Sequence, residues 1–349
     1  MSEKESYVLT YDLLNIAACI AVVALHVNTI FWTFSTEPYW QSCLVTETVF
    51  YWAVPIFFML SGATLMDYRD RYDTRTFLTK RFKKTVVPFL FWSVVSVFWA
   101  LNVKHYIDAA SVSTWQGWVN TIVNHQAMSI YWFFPPLFAL YLCIPVLSSI
   151  PKEKRKHIFL YMILYAFISY SMIPCITPLF GVYITDALRS PLNGGGFVMF
   201  LLLGYCITRY PMKKSTRIIV YILGFFGWAI RFVYTREKSL ALGYINQTFF
   251  GYFNFPGVLL AVAVFTWFWY HDWSFLNKPK IIKVIRELSS ASFGIYLIHF
   301  YFMCFVIDTF AVDITTLQWR VAGVPLVYFS SLIIVLIGKC IPLVKKAFP

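Results

Sequence analysis

The feature that most constrains this chain is a succession of apolar runs, most of them long enough to cross a lipid bilayer. A helix needs about 20 consecutive apolar residues to span the hydrocarbon core. The runs lie roughly at residues 8–32, 44–66, 85–103, 130–150, 158–180, 194–210, 218–235, 248–270, 292–310 and 321–342. Because lipid cannot hydrogen-bond to the backbone, they predict an all-α polytopic membrane helical bundle of about ten transmembrane helices.

Composition supports a membrane protein without a separate soluble domain. Of the 349 residues, 59% are hydrophobic and only 13% are charged, whereas soluble domains are about 25% charged. No long polar segment interrupts the runs, so residues 1–349 are interpreted as one transmembrane domain. The seven cysteines are scattered without CxxC spacing, so neither a disulfide framework nor a metal site is predicted.

The basic residues indicate how the chain crosses the membrane. A formal net charge of +13 could suggest a nucleic-acid partner, but the charges lie in short loops between apolar runs. If the N-terminus is inside and the runs alternate, most of the 29 Lys and Arg residues lie inside. The outside ones are Lys104, Arg189, Arg231, Arg236, Lys238 and Arg320. This asymmetry predicts that both termini are cytoplasmic. The first run is not followed by a small-residue cleavage site, so it is interpreted as a retained span rather than a signal peptide.

The first run carries polar residues at helical spacing. Asn15, Cys19 and His26 follow Asp12 at offsets of 3, 7 and 14 residues, so all four share one stripe of a helix. Ionisable groups at membrane depth are costly and usually mark a functional site. We therefore expect this stripe to face the interior of the bundle.

Five further segments carry a resemblance to a known family. They are VPIFFMLSGATL (54–65), FLTKRFKKTVVP (77–88), YWFFPPLFALYLCIP (131–145), GGFVMFLLLGY (195–205) and SSASFGIYLIHF (289–300). Together with the first run, and in this order, they resemble the acyltransferase-3 family of integral membrane O-acyltransferases. The resemblance implies transfer of an acyl group, often acetyl from acetyl-CoA, to a hydroxyl of an envelope or exported glycan. It also implies a multi-pass protein of a bacterial cell membrane.

His26 matches the catalytic histidine of that family, and Asp12 matches its usual acidic position. Histidine has a reference pKa near the operating pH, so His26 can take the proton of an attacking hydroxyl. It could also pass the acyl group on covalently, and the sequence does not separate the two routes. The structural alternative is a histidine hydrogen-bonded between helices for packing.

The acyl donor is expected at the cytoplasmic face. The family has an arginine where this chain has Asn15, an amide without charge. If that arginine binds a CoA phosphate, another cation must serve here. Arg81 and Lys84 match the two basic positions before the family's proline, and with Lys80 and Lys83 they form a cation patch suited to phosphate. Positive-inside topology or anionic lipid would explain the same patch.

The remaining site candidates lie towards the outer side. Glu47 either orients His26, as a carboxylate orients the base of a triad, or is an interfacial carboxylate in water. Tyr296 and His299 are three residues apart and share a helix face, so they are candidates for the acyl channel or acceptor site, or a packing pair. Trp132 belongs to the aromatic residues near span ends, some of which could stack on a sugar ring.

Two local features predict how the helices pack. Ser61-Gly62 is interpreted as a small-residue contact between closely packed helices. Pro135-Pro136 should kink or break the fourth run, because proline lacks the backbone N–H of a helix interior.

The predicted function is transfer of an acyl group, acetyl by resemblance, from cytoplasmic acyl-CoA to a hydroxyl of a polysaccharide or lipid-linked glycan. The first alternative is a transporter or flippase for a glycan or its precursor, which would use the buried polar residues as a pathway. The second is a structural subunit of a glycan-export complex. The sequence leaves the acceptor, the acyl chain length and the oligomeric state open.

Overall fold

A computed structural model describes residues 8–182, 184, 196–342 and 344–348, and within them the regular elements are helices. Each predicted apolar run corresponds to one helical segment, in the predicted order. Numbered α1 to α10, they are Leu9–Val27, Pro38–Asp70, Thr74–Asn102, Ser129–Ser148, Lys152–Phe180, Phe197–Arg209, Lys214–Leu242, Phe255–Tyr270, Pro279–Phe310 and Leu317–Cys340. Eight are long and apolar enough to cross a membrane, and α6 and α8 are the shorter two. The all-α polytopic architecture is therefore confirmed.

Several of these segments contain a change of helical geometry. α2 consists of Pro38–Phe50 and Ala53–Leu65 with a turn between them. α4 opens with a 3-10 turn over Ser129–Phe133, and its α-helical part begins at Phe134. Pro135-Pro136 thus lies in the first α-helical turn, where a missing N–H is tolerated. Instead of the predicted kink or break at the prolines, the geometry changes from 3-10 to α-helical directly before them.

α2 and α6 pack closely enough for their backbones to touch. A Cβ atom added at Gly62 would lie 1.7 Å from the carbonyl oxygen of Leu201. One added at Gly204 would lie 1.9 Å from the carbonyl oxygen of Met59. Any larger side chain at either glycine would push the helices apart, so the small-residue contact predicted at Gly62 is confirmed.

α1 lies against α2, α9 and α10 near the centre of the bundle. Its polar stripe faces α9. Side chains of α1 bond to residues of α9 at three levels: Asn15 to Ser289, the Cys19 thiol to the backbone carbonyl of Ser292, and His26 to His299. The sequence separation stays at 273 or 274 along the contact, so α1 and α9 run parallel. The predicted stripe therefore faces protein, as its periodicity indicated.

Candidate active site

The polar residues of α1 border cavities at its two ends. The first, named the His26 cavity, has a volume of about 270 Å³. Its wall combines one imidazole and one carboxylate with several aromatic rings. These residues include His26, Glu47, Trp32, Tyr51, Trp132, Tyr252 and Tyr296.

The imidazole of His26 is hydrogen-bonded to a second imidazole. Nδ1 of His26 lies 2.6 Å from Nε2 of His299, which is fully buried. The other ring nitrogen of His299, Nδ1, lies 3.0 Å from the carbonyl oxygen of Ile295 and 2.9 Å from that of Tyr296. Carbonyl oxygens only accept hydrogen bonds, so Nδ1 of His299 carries the hydrogen.

This arrangement fixes the tautomer of His26. When both rings are neutral, Nε2 of His299 has only a lone pair, so Nδ1 of His26 must donate the hydrogen of the 2.6 Å contact. Nε2 of His26 is then unprotonated, and the described part of the chain gives it no hydrogen-bond partner. His26 is half-buried, borders the cavity and has a lone pair on Nε2 that can accept a proton. This is the arrangement of a general base.

Glu47 lies in the same cavity but does not orient His26 through Nδ1, because His299 occupies that nitrogen. Nor is it a wetted carboxylate at the membrane surface, since it is only 3% exposed. Nδ2 of Asn28 donates to it over 3.4 Å. Glu47 is therefore a buried acceptor at the cavity wall.

Three aromatic rings form a stack on one side of the His26 cavity. The rings of Tyr51 and Tyr252 have centroids 4.3 Å apart, and those of Tyr252 and Trp132 are 5.3 Å apart. The sequence singled out Trp132, but nothing in its pattern distinguished Tyr51 or Tyr252 from the many other aromatic residues. Their juxtaposition depends on how the segment before α8 packs onto α2 and α4.

Arg231 supports this stack from within the protein. It is fully buried, and its guanidinium carbon lies 3.6 Å from the centroid of the Tyr51 ring. Nη2 donates to the carbonyl oxygen of Phe250 over 2.7 Å. In the predicted topology, Arg231 is one of the six outside charges. It also lies within the apolar run at 218–235, and an ionisable residue within an apolar run is the pattern that made His26 a candidate site residue.

Two adjoining cavities lie at the other end of α1. The Asn15 cavity, of about 290 Å³, is bordered by Asn15, Ser61, Phe57, Phe133 and Phe293 among others. The basic cavity is larger, at about 1060 Å³. Both are bordered by Tyr11, Asp12, Thr64, Leu65 and Arg81, so the smaller continues from the larger.

Asp12 therefore belongs to this end of α1 and not to the surroundings of His26. It precedes His26 by 14 residues on the same helix, which is about 21 Å along the axis at about 1.5 Å per residue. The catalytic role that the resemblance implies for Asp12 would therefore be exercised at the donor end of the helix. Asn15 uses Nδ2 to donate to the carbonyl oxygen of Ser289 at 2.9 Å and to its Oγ at 3.0 Å.

The basic cavity gathers cations from five segments of the chain. They are Arg71, Arg81, Lys152, Arg209 and Arg286. Of the predicted patch, Arg81 borders the cavity, and Lys80 lies with Nζ 3.9 Å from the ring centroid of Tyr72, which also borders it. Lys84 is exposed and is not among the residues that border it. The other four cations of the cavity had no sequence signal beyond their position in predicted cytoplasmic segments.

Carboxylates balance part of this charge. Asp67 accepts hydrogen bonds from Arg155 at 2.7 Å and from Arg209 at 2.9 Å. Asp70 pairs with Lys152 at 2.5 Å. Asp67, Asp70, Lys152 and Arg209 all border the cavity, and so do Arg81 and Arg286. The cavity thus combines positive charge with the aromatic faces of Tyr11, Tyr72 and Tyr210.

Comparison with known proteins supports one family. A family model described as an acyltransferase domain, that of acyltransferase-3, matches residues 8–342, nearly the whole chain. Searches of curated proteins and of solved structures gave no significant match. Within the residues that the structure describes, no three His, Cys, Asp or Glu side chains are grouped to hold a metal ion.

Proposed function

We propose that this chain transfers acetyl from acetyl-CoA to a hydroxyl of a glycan. It belongs to the acyltransferase-3 family and is therefore a multi-pass membrane acyltransferase. The donor binds in the basic and Asn15 cavities, and the acceptor binds in the His26 cavity. The observation that carries the proposal is that a histidine held as a base and a cation-lined cavity lie at opposite ends of one helix.

The donor end has the chemistry that CoA requires. CoA is a nucleotide with several phosphate charges and a long, thin arm that ends in the thioester. Guanidinium groups bind phosphate through paired N–H donors, and Arg81 and Arg286 border the basic cavity with Tyr11 and Tyr72. The side chains of Asp12 and Asn15 border the narrower continuation, where their oxygens can accept hydrogen bonds from amides of the arm.

The acceptor end has the chemistry that a sugar requires. Aromatic rings such as those of Trp132, Tyr252 and Tyr296 offer apolar faces to a sugar ring, and Glu47 can accept hydrogen bonds from its hydroxyls. The distribution of basic residues favours the donor end as cytoplasmic. The acceptor then reaches the His26 cavity from outside the cell membrane, which we take to be that of a bacterium.

The transfer step uses His26 as base and then as acid. Nε2 takes the proton of the acceptor hydroxyl as its oxygen attacks the thioester carbon, and collapse of the tetrahedral intermediate breaks the C–S bond. The imidazolium returns the proton to the departing sulfur, which leaves the glycan ester and free CoA thiol. The Nδ1–H of His26 remains hydrogen-bonded to His299 throughout, which keeps the ring in position as its charge changes.

The test is thiol release from acetyl-CoA by the purified protein in lipid nanodiscs, with a glycan acceptor present. His26→Ala should lower the rate by about 10²–10⁴-fold, the usual contribution of a positioned general base. His271→Ala, at an exposed histidine in the loop after α8, is the matched control and should leave the rate unchanged.

Equal rates for wild type and His26→Ala would refute the proposal. So would the absence of thiol release with every hydroxyl acceptor, combined with glycan movement across proteoliposomes. The latter result would support the transporter alternative.

A further inference from the structure

The Asn15 cavity and the His26 cavity lie end to end, separated by a thin layer of side chains. On three elements, residues close in sequence border different cavities. The pairs, each with its member in the His26 cavity first, are Val54 and Phe57, Trp132 and Phe133, and Tyr296 and Phe293. Residues three apart on a helix differ by less than one turn, about 5 Å. The layer is therefore about one helical turn thick.

Phe133 occupies the middle of this layer. Its ring centroid lies 6.0 Å from that of Phe57, 4.9 Å from that of Phe58 and 5.6 Å from that of Tyr296. The ring is 6% exposed, and it borders the Asn15 cavity. We name Phe57, Phe133 and Tyr296 the aromatic wall.

The backbone that carries Phe133 is fixed, so only its side chain is free to adjust. Phe133 ends the 3-10 turn of α4. Tyr131 Oη donates to the carbonyl oxygen of Leu297 over 2.9 Å, and Tyr296 Oη donates to that of Ile130. One bond is donated by the turn and the other by α9, so together they hold the turn against that helix. The carbonyl oxygen of Tyr296, next in sequence to Leu297, accepts the hydrogen bond from Nδ1 of His299.

From these contacts we infer that Phe133 is a gate in the path of the acyl group, and that it restricts the donor to short acyl chains. The inference rests on the proposed function, because the thioester must pass from the Asn15 cavity to the His26 cavity. Rotation of the Phe133 ring would join the two cavities, because this ring lies between Phe57 and Tyr296 in the layer that separates them. Once the thioester lies at His26, the acyl chain must occupy the His26 cavity of about 270 Å³, so a longer chain needs space that the closely packed rings of the aromatic wall fill.

The closed wall also has a physical role when no donor is bound. The cavities on either side contain polar and charged groups, and an open channel between them would let water and protons cross the bilayer. Aromatic rings in edge contact fill such a layer without unsatisfied polar atoms. A gate that opens only around the donor arm maintains the barrier between catalytic cycles.

The experiment measures kcat/KM for acyl-CoA donors from acetyl to octanoyl with one glycan acceptor. Phe133→Ala should raise the octanoyl-to-acetyl ratio by at least about tenfold, the usual discrimination that a pocket provides for extra methylenes. Phe133→Trp should lower kcat/KM for every donor, most for the longest. Phe133→Leu is the milder variant if removal of the whole ring prevents folding, and it should shift the ratio in the same direction.

The matched control is Phe265→Ala. Phe265, on α8, is fully buried and borders none of the three cavities, so its loss should leave the chain-length ratio unchanged. Equal shifts in Phe133→Ala and Phe265→Ala, or wild-type kcat/KM in Phe133→Trp, would overturn the gate while leaving the acyltransferase intact. A wild-type protein that releases no CoA from any donor would overturn the proposed function and the gate together.

Discussion

Nδ1 of His26 and Nε2 of His299 lie 2.6 Å apart, and the backbone of α9 determines which ring donates. His299 was a candidate for the acyl channel or the acceptor site. It lies behind His26 instead, as the group that sets its tautomer. A neutral imidazole thus takes the position that a carboxylate has in many catalytic triads.

The role of His299 predicts a defect in kcat that one substitution repairs. His299→Phe keeps the bulk of the ring but removes the acceptor for Nδ1–H of His26, so kcat should fall by about 10²-fold, as expected when a reacting group loses its orientation. The KM values for donor and acceptor should remain within about twofold of wild type. Steady-state kinetics with acetyl-CoA measures both.

His299→Gln should recover much of the activity, because its amide oxygen can accept the same hydrogen bond. Equal loss in His299→Gln and His299→Phe, with both proteins folded, would indicate that His299 serves packing alone.

The basic cavity predicts a donor-specific binding defect. Arg81→Gln and Arg286→Gln should each raise the KM for acetyl-CoA by about 10- to 100-fold, equivalent to about 1.5–3 kcal/mol for a hydrogen bond to a charged group. With acetyl-pantetheine, which lacks the nucleotide and its phosphates, each variant should have the same KM as wild type. Lys84→Gln is the control, because Lys84 is exposed and is not among the residues that border the cavity. An unchanged KM for acetyl-CoA in both arginine variants would place the phosphates elsewhere.

The aromatic stack predicts an acceptor-specific defect. Tyr252→Leu removes the middle ring between Tyr51 and Trp132, and should raise the KM for the glycan by about 2- to 10-fold, or about 0.5–1.5 kcal/mol. The KM for acetyl-CoA should not change, because Tyr252 borders only the His26 cavity of the three cavities. Tyr234→Leu, which removes a ring that contacts Phe249 outside these cavities, controls for general loss of aromatic packing. An equal change in both KM values would contradict this assignment.

The buried charges near the His26 cavity predict coupled effects on stability. Arg231 and Glu47 are both buried and interact electrostatically. Arg231→Met removes this interaction and also the donor to the carbonyl oxygen of Phe250, so it should destabilise the protein by about 1–3 kcal/mol. Thermal unfolding in detergent compares this variant with Arg236→Met, a more exposed position on the same helix that pairs with Glu237.

Adding Glu47→Gln to Arg231→Met should restore part of the loss, because no unpaired charge then remains buried. Additive losses in the double variant would show that the two charges act independently.

The sequence predicted the helices well because their signal is local. Span length follows from counting apolar residues, and the face of α1 that carries Asn15, Cys19 and His26 follows from helical period. Both quantities depend only on neighbours along the chain. The order of the helices and the interior orientation of this stripe therefore needed no knowledge of packing.

The roles of residues within the proposed site could not be predicted from span length and helical period alone. Asp12 and His26 share a stripe, but the rise of the helix places them at different ends, so a common face did not make a common site. Glu47 and His299 were both candidates, and only the packing of α9 on α1 gave His299 the contact with Nδ1 of His26. Arg286 and Tyr252 had no sequence signal that set them apart from other arginines and tyrosines.

The amino-acid sequence by itself thus determined a bundle of membrane-spanning helices, and it singled out the histidine of our proposed active site. Only the tertiary structure decided the hydrogen-bond partner of that histidine, the cations that share a cavity and the position of the aromatic wall. The physical reason is one of range. Hydrophobic periodicity acts within a helix, whereas these relationships join residues as far as 273 positions apart, and depend on which helices pack together and at what depth.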